Sequence, residues 1–144
     1  MSMKLSMILV AFGAIVGLGG CASHTHQLVS QDGTETVIGS FTHEGQAPPT
    51  MSIHVNDKIY EAKGFAIRRD ENLSELKRRY GFSSKHYQQI SAGMDTDHRY
   101  YSTDPILHSL DGDRVKCSLS WRSGLLPKGT CEKSNGKIVT LVAK

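Results

Sequence analysis

Between Val115 and Trp121 apolar and polar residues alternate without interruption: Val115, Cys117, Leu119 and Trp121 against Lys116, Ser118 and Ser120. Period two is the mark of a strand with one buried face, and it places Cys117 on the apolar side. Ahead of it, Leu110-Asp111-Gly112 makes a turn. Behind it, a Gly124–Gly129 loop containing Pro127 reverses the chain into Thr130-Cys131-Glu132-Lys133. Cys131 then comes to face Cys117 across a hairpin. Ser134-Asn135-Gly136 supplies the next turn, since Asn-Gly tolerates positive φ. The largely β-branched run Ile138–Val142 predicts a last strand covered on both faces.

The same periodicity recurs upstream. Thr36–Thr42 is β-rich, with Val37, Gly39 and Phe41 on one face. A Gly/Pro loop follows, and then Met51, Ile53 and Val55 alternate with Ser52, His54 and Asn56. Asn56-Asp57 turns this strand into Lys58–Ile67, giving a hairpin. The period changes after Asp70. Leu73, Leu76 and Tyr80 form a helical stripe that Asp70 or Asn72 can cap and Gly81 can end. From Phe82 to Asp104 the apolar signal thins to Tyr87, Ile90, Tyr100 and Tyr101, which predicts a long excursion with at most one short strand. The expected fold is mainly β: a small antiparallel sheet or partly open barrel with one short helix, stapled by one disulfide.

The first twenty residues have a different character. Lys4 precedes an apolar stretch from Leu5 to Leu18, and Leu18-Gly19-Gly20-Cys21 closes it with small residues and a cysteine. The stretch is shorter than the roughly 20 residues of a membrane span. It resembles a bacterial lipoprotein signal, which implies cleavage before Cys21 and acylation of that residue. More than one acyl chain gives stable anchoring, so the partner implied is a membrane, reached through the lipid on Cys21. Ala22 in place of Asp after the cysteine favours the outer membrane, periplasmic face, by the same resemblance. The expected organisation is a signal peptide over 1–20, a flexible lipidated tether over 21–35, and one β-rich domain over 36–144. In the tether, His24 and His26 read as solvated side chains rather than a metal hook.

Of 17 Lys+Arg only Lys4 precedes Cys21, which leaves 16 against 14 Asp+Glu. That near-balance argues against a nucleic-acid binder, which would carry a concentrated basic face. With Cys21 assigned to lipid, Cys117 and Cys131 are the remaining pair in an exported, disulfide-permissive compartment. Their spacing matches neither C-x-x-C nor a familiar zinc pattern.

No catalytic template fits. Serines occur outside any G-x-S-x-G, the seven histidines form no H-E-x-x-H, and Asp95-Thr96-Asp97 lacks the glycine and distal glutamate of a calcium loop. No strand leads through glycines into a helix to cradle phosphate. The expectation is a non-enzyme without cofactor or metal site. Binding residues are sought instead in the excursion: Lys77, Arg78 and Arg79 at the helix end, with Tyr87, Tyr100 and Tyr101. For the three cations, complementing the helix dipole is the simpler account.

The C-terminal block resembles the end of a family of small bacterial lipoproteins with no settled biochemical role. The matching positions are Asp111, Gly112, Val115, Cys117 and Leu119, then Gly129, Cys131, Gly136, Val139 and Leu141, with Lys58, Tyr60 and Ala62 upstream. Ala62 stands where the family has glycine, and Val139 stands near its final aromatic. The likeness covers about half of the chain after Cys21. It implies a small β-domain on the outer membrane and transfers no catalytic residue. The functional expectation is a structural or binding module of the cell envelope, with an envelope protein or glycan as partner. The alternatives are an inhibitor of a wall-degrading enzyme and, last, a hydrolase with a nonstandard site.

Overall fold

Alternation along ten strands decides the architecture. In the computed structural model, which describes residues 23–33, 35–72, 74, 77, 78, 88, 92 and 98–144, these are β1 (His24–Ser30), β2 (Val37–His43), β3 (Thr50–Val55), β4 (Lys58–Lys63), β5 (Arg68–Glu71), β6 (Arg99–Thr103), β7 (Ile106–His108), β8 (Arg114–Arg122), β9 (Lys128–Lys133) and β10 (Ile138–Ala143). Every pairing is antiparallel. β1 bonds to both β2 and β10, and β8 to both β7 and β9, so the sheet closes on itself.

Two pairs of these strands are halves of longer ones. β6 and β7 pair with β8 in a single register, Thr103↔Leu119 and Ile106↔Lys116. Across the break Cys117 N donates to Pro105 O at 2.9 Å. Pro105 has no N–H to give to the ladder, which is why the strand is interrupted there without being diverted. β4 and β5 flank them on the other edge, Glu61 opposite His108 and Arg69 opposite Tyr101, with the bend at Gly64 (φ +72). Counted this way, the molecule is a closed eight-stranded up-and-down barrel.

Eight strands enclose an interior just wide enough to be filled by side chains. Leu28, Phe41, Met51, Ile53, Leu107, Leu119 and Leu141 are fully buried there. Two glycines allow the wall to curve so tightly. A Cβ at Gly39 would strike the Ser52 carbonyl oxygen, and one at Gly129 the Ser118 carbonyl oxygen. Cys117 and Cys131 are directly opposed in the β8–β9 register, with Cα atoms 4.0 Å apart, and form the disulfide.

The fold is mainly β as expected, and the barrel is closed rather than partly open. Other expectations need correction. The stretch 24–30 is not a flexible tether: it is β1, the strand that closes the ring, so the domain begins before Thr36. Its histidines disguise it, because only Leu28 is a buried aliphatic among the residues on its inner face. The strand from Lys58 stops at Lys63 rather than Ile67. β10 is covered on one face only, with Ile138 61% exposed. Asp70 lies in β5 and caps no helix. Ser74, Lys77 and Arg78 are helical, while Leu73, Leu76, Tyr80 and Gly81 fall outside the described residues, as does Cys21.

Candidate functional surfaces at the two ends of the barrel

An up-and-down barrel delivers its turns alternately to two ends. One end receives the turns β1–β2, β3–β4, β7–β8 and β9–β10. The other receives the start of β1, the turns β2–β3 and β8–β9, the end of β5, the start of β6, and the end of β10.

At the first end two charged clusters tie the turns together. Tyr60 Oη donates to Asp113 Oδ2 at 2.8 Å, and Asp113 Oδ1 accepts from Ser134 Oγ and from Arg114 N, each at 2.9 Å. Lys58 Nζ lies 2.7 Å from Asp111 Oδ2 and 3.7 Å from Asp113 Oδ2. Asp111 also accepts from Ser109 Oγ and Asp113 N. These donors favour the ionised form, holding both carboxyls below the usual range, Asp111 chiefly through Lys58 and Asp113 chiefly through Tyr60. Glu35 is the second centre. Lys133, Lys137 and Asn56 all reach its carboxylate, and the Lys133 bond contributes most to lowering its pKa.

The result is a rigid rim with one apolar residue raised above it. Leu110, at the apex of the β7–β8 turn, is fully exposed. Gly112 (φ +86) and the bonds Gly112 N to Ser109 O (3.1 Å) and Ser109 N to Asp113 O (3.0 Å) fix that turn. Beside it runs a shallow groove lined by Lys58, Ile59, Glu61, His108 and Leu110. Ile59 is half-exposed on the outer face of β4.

The second end carries a stack of rings. His24 is the register partner of His43, and His26 of Phe41. Ring centroids lie 5.1 Å apart for His26–His43, 4.9 Å for Phe41–His43 and 4.9 Å for His43–Trp121. His26 Nε2 and His43 Nε2 are 3.0 Å apart, so one donates and the other accepts. That bond exists only while the accepting ring is neutral. Burial pushes the His43 pKa down, with His26 and His24 adding to the effect and Glu44 opposing it. His26 is lowered for the same first reason. Among the described residues no three histidine, cysteine or acidic side chains converge to hold a metal ion.

Of the residues proposed from sequence, Lys77, Arg78, Tyr100 and Tyr101 are described. Lys77 and Arg78 are exposed, and Arg79 and Tyr87 lie outside the described residues. Tyr100 and Tyr101 point to opposite faces of β6. Tyr100 is 38% exposed, whereas Tyr101 stacks on Trp121 at 5.4 Å inside the wall. Tyr100 and Tyr101 therefore share no surface. Sequence reasoning missed Leu110 and the histidine stack. The available signals were a leucine inside a polar turn, and His24, His26 and Leu28 at period two.

Compared with protein-family models, with curated proteins and with solved structures, the chain matches none.

Proposed function

We propose that the protein is a lipoprotein of the bacterial cell envelope, anchored through acylated Cys21 at the periplasmic face of the outer membrane, and acts as a non-catalytic binding module. Its partner, an envelope protein or glycan, docks on the Leu110 end. The observation that carries this reading is Leu110 itself, an exposed apolar apex on a turn immobilised by Asp111, Asp113 and Gly112. A turn whose backbone is already held in place loses little conformational entropy when a partner covers it. Ile59 alongside widens the apolar contact, and Lys58 and Asp111 form its polar border. The interior of the barrel is occupied by its own side chains, which favours a role for the rim. Four of the positions shared with small outer-membrane lipoproteins, Lys58, Tyr60, Asp111 and Gly112, belong to this end.

A photo-crosslinking residue placed at 110 in living cells tests this. The reading expects a discrete adduct that is lost on Ile59→Asp and absent with the probe at Ser120, an exposed position on β8. No adduct at 110, or the same adducts at both positions, would contradict it.

A rigid turn with leucine at its apex and Asp111 beside it also has the form of a plug for an enzyme cleft. That supports, as a second reading, inhibition of a wall-degrading enzyme. Inhibition of a purified peptidoglycan hydrolase, relieved by Leu110→Asp, would favour it over the first.

A further inference from the structure

Only two residues separate Cys21 from His24, the first residue of β1. A fully extended chain spans at most about 3.6 Å per residue, so Cys21 lies within roughly 11 Å of the barrel rim. β1 is tied into the wall from its first residue, His24 pairing with His43. No long tether is left between lipid and fold. An acyl chain buried at Cys21 therefore draws this rim, not the Leu110 end, onto the bilayer.

That rim carries two exposed leucines. Leu125 and Leu126, in the β8–β9 turn, are 61% and 53% exposed. The turn is coupled to β1 by two short steps across the wall. Ala143 N donates to Pro127 O at 2.9 Å, and Lys144 N donates to Gln27 O at 2.9 Å. Adjacent strands are about 4.8 Å apart, so the leucine turn stands roughly 10 Å around the ring from the anchored strand. Lys128 and Lys144, both exposed, flank it and suit an anionic lipid surface. Glu44, on the same rim, is faced by His24 at 3.5 Å.

We propose that Leu125 and Leu126 form a lipid-contacting tip: in the acylated protein this turn enters the headgroup region, and the barrel stands on its rim with Leu110 pointing away from the membrane. The proposal rests on the reading of Cys21 as the lipid-bearing residue. It assigns the β8–β9 turn a role that the partner-binding reading does not need. The occupant is the bilayer surface, because three residue steps are all that join the lipid-bearing Cys21 to the strand that forms this rim.

The test uses the acylated protein that begins at Cys21, its mass confirming the acyl chains, in vesicles of phosphatidylethanolamine and phosphatidylglycerol. Leu125→Cys and Leu110→Cys variants carry an environment-sensitive fluorophore, the native pair remaining in its disulfide. The dye at 125 should shift to the blue and be quenched by iodide at least about threefold less than the dye at 110, as expected for a side chain a few ångströms into the interface. An acylated protein in which iodide quenches both positions alike overturns the tip and leaves the anchor standing. A chain that carries no acyl group on Cys21 overturns the anchor reading and this proposal with it.

Discussion

Tyr60 and Asp113, fifty-three residues apart in sequence, meet in a 2.8 Å hydrogen bond that joins β4 to the turn between β7 and β8. The tyrosine ring is buried in the barrel, and its hydroxyl emerges at the rim to hold the carboxylate beneath Leu110. Tyr60→Phe keeps the packing and removes the donor. A hydrogen bond to a charged group contributes about 1.5–3 kcal/mol, and Ser134 and Arg114 still serve Asp113, so a loss of about 1 kcal/mol is expected. Urea denaturation measures it. An unchanged midpoint would mean that water replaces the tyrosine at no cost.

The disulfide joins two strands already paired on both sides of it. Cys117→Ala should therefore lower stability by about 3 kcal/mol without changing the fold. The wild-type protein, unfolded without reductant, should react with thiol reagents at neither Cys117 nor Cys131.

Gly129 has no room for a side chain, since a Cβ would collide with backbone at Ser118. A carbonyl in the sheet ladder cannot step aside as a flexible side chain can. Gly129→Ala should cost about 2 kcal/mol or more, while Gly124→Ala, with open space around it but φ +76, should cost only about 1 kcal/mol. Equal effects on the melting temperature would contradict the tight curvature assigned to β9.

Acid should loosen the ring stack before it reaches the carboxylates. His26 and His43 have folded pKa values below the ordinary 6.5, so the unfolded chain binds more protons than the folded one as pH falls past that value. The stability these groups contribute is present above about pH 6.5 and is lost on acidification through their folded pKa values. Asp111, Asp113 and Glu35 act in the same direction but at lower pH, below their unfolded values near 4. His43→Phe preserves the ring contacts with Phe41 and Trp121 and removes one titration. Its melting temperature should fall less than that of the wild type between pH 7 and pH 5.

The segment between β5 and β6 leaves and returns at one point, where Asn72 N donates to His98 O at 3.1 Å. Replacing 73–97 by a short glycine-containing turn should leave a cooperative unfolding transition. Excising 70–104, the sequence's short helix and the excursion after it, should not, because it removes β6 and its ladder with β8.

These contrasts show which parts of the fold the sequence discloses. β2, β3 and β8 are legible because each alternates aliphatic or aromatic residues with polar ones, and β10 because its residues are largely β-branched, which also hid its exposed face. β1 is not, because its inner face is built from His24, His26 and Leu28, and an imidazole counts as polar in a sequence yet stacks as a ring in a barrel. Closure of the ring depends on that strand, so it could not be seen without it. β6 was hidden by its position after a long polar segment, and its union with β7 by Pro105. The rim clusters are legible only in three dimensions. Glu35 and Lys133 are ninety-eight residues apart, and no local spacing announces their contact.

In the proposed reading, acylated Cys21 sets which end of the barrel meets the membrane. Mass spectrometry of the protein extracted from membranes in detergent tests it directly. The account predicts an N-terminal peptide that begins at Cys21 and carries acyl chains on its thiol and amino group. A chain that begins elsewhere, or a Cys21 found as an unmodified thiol, would contradict it.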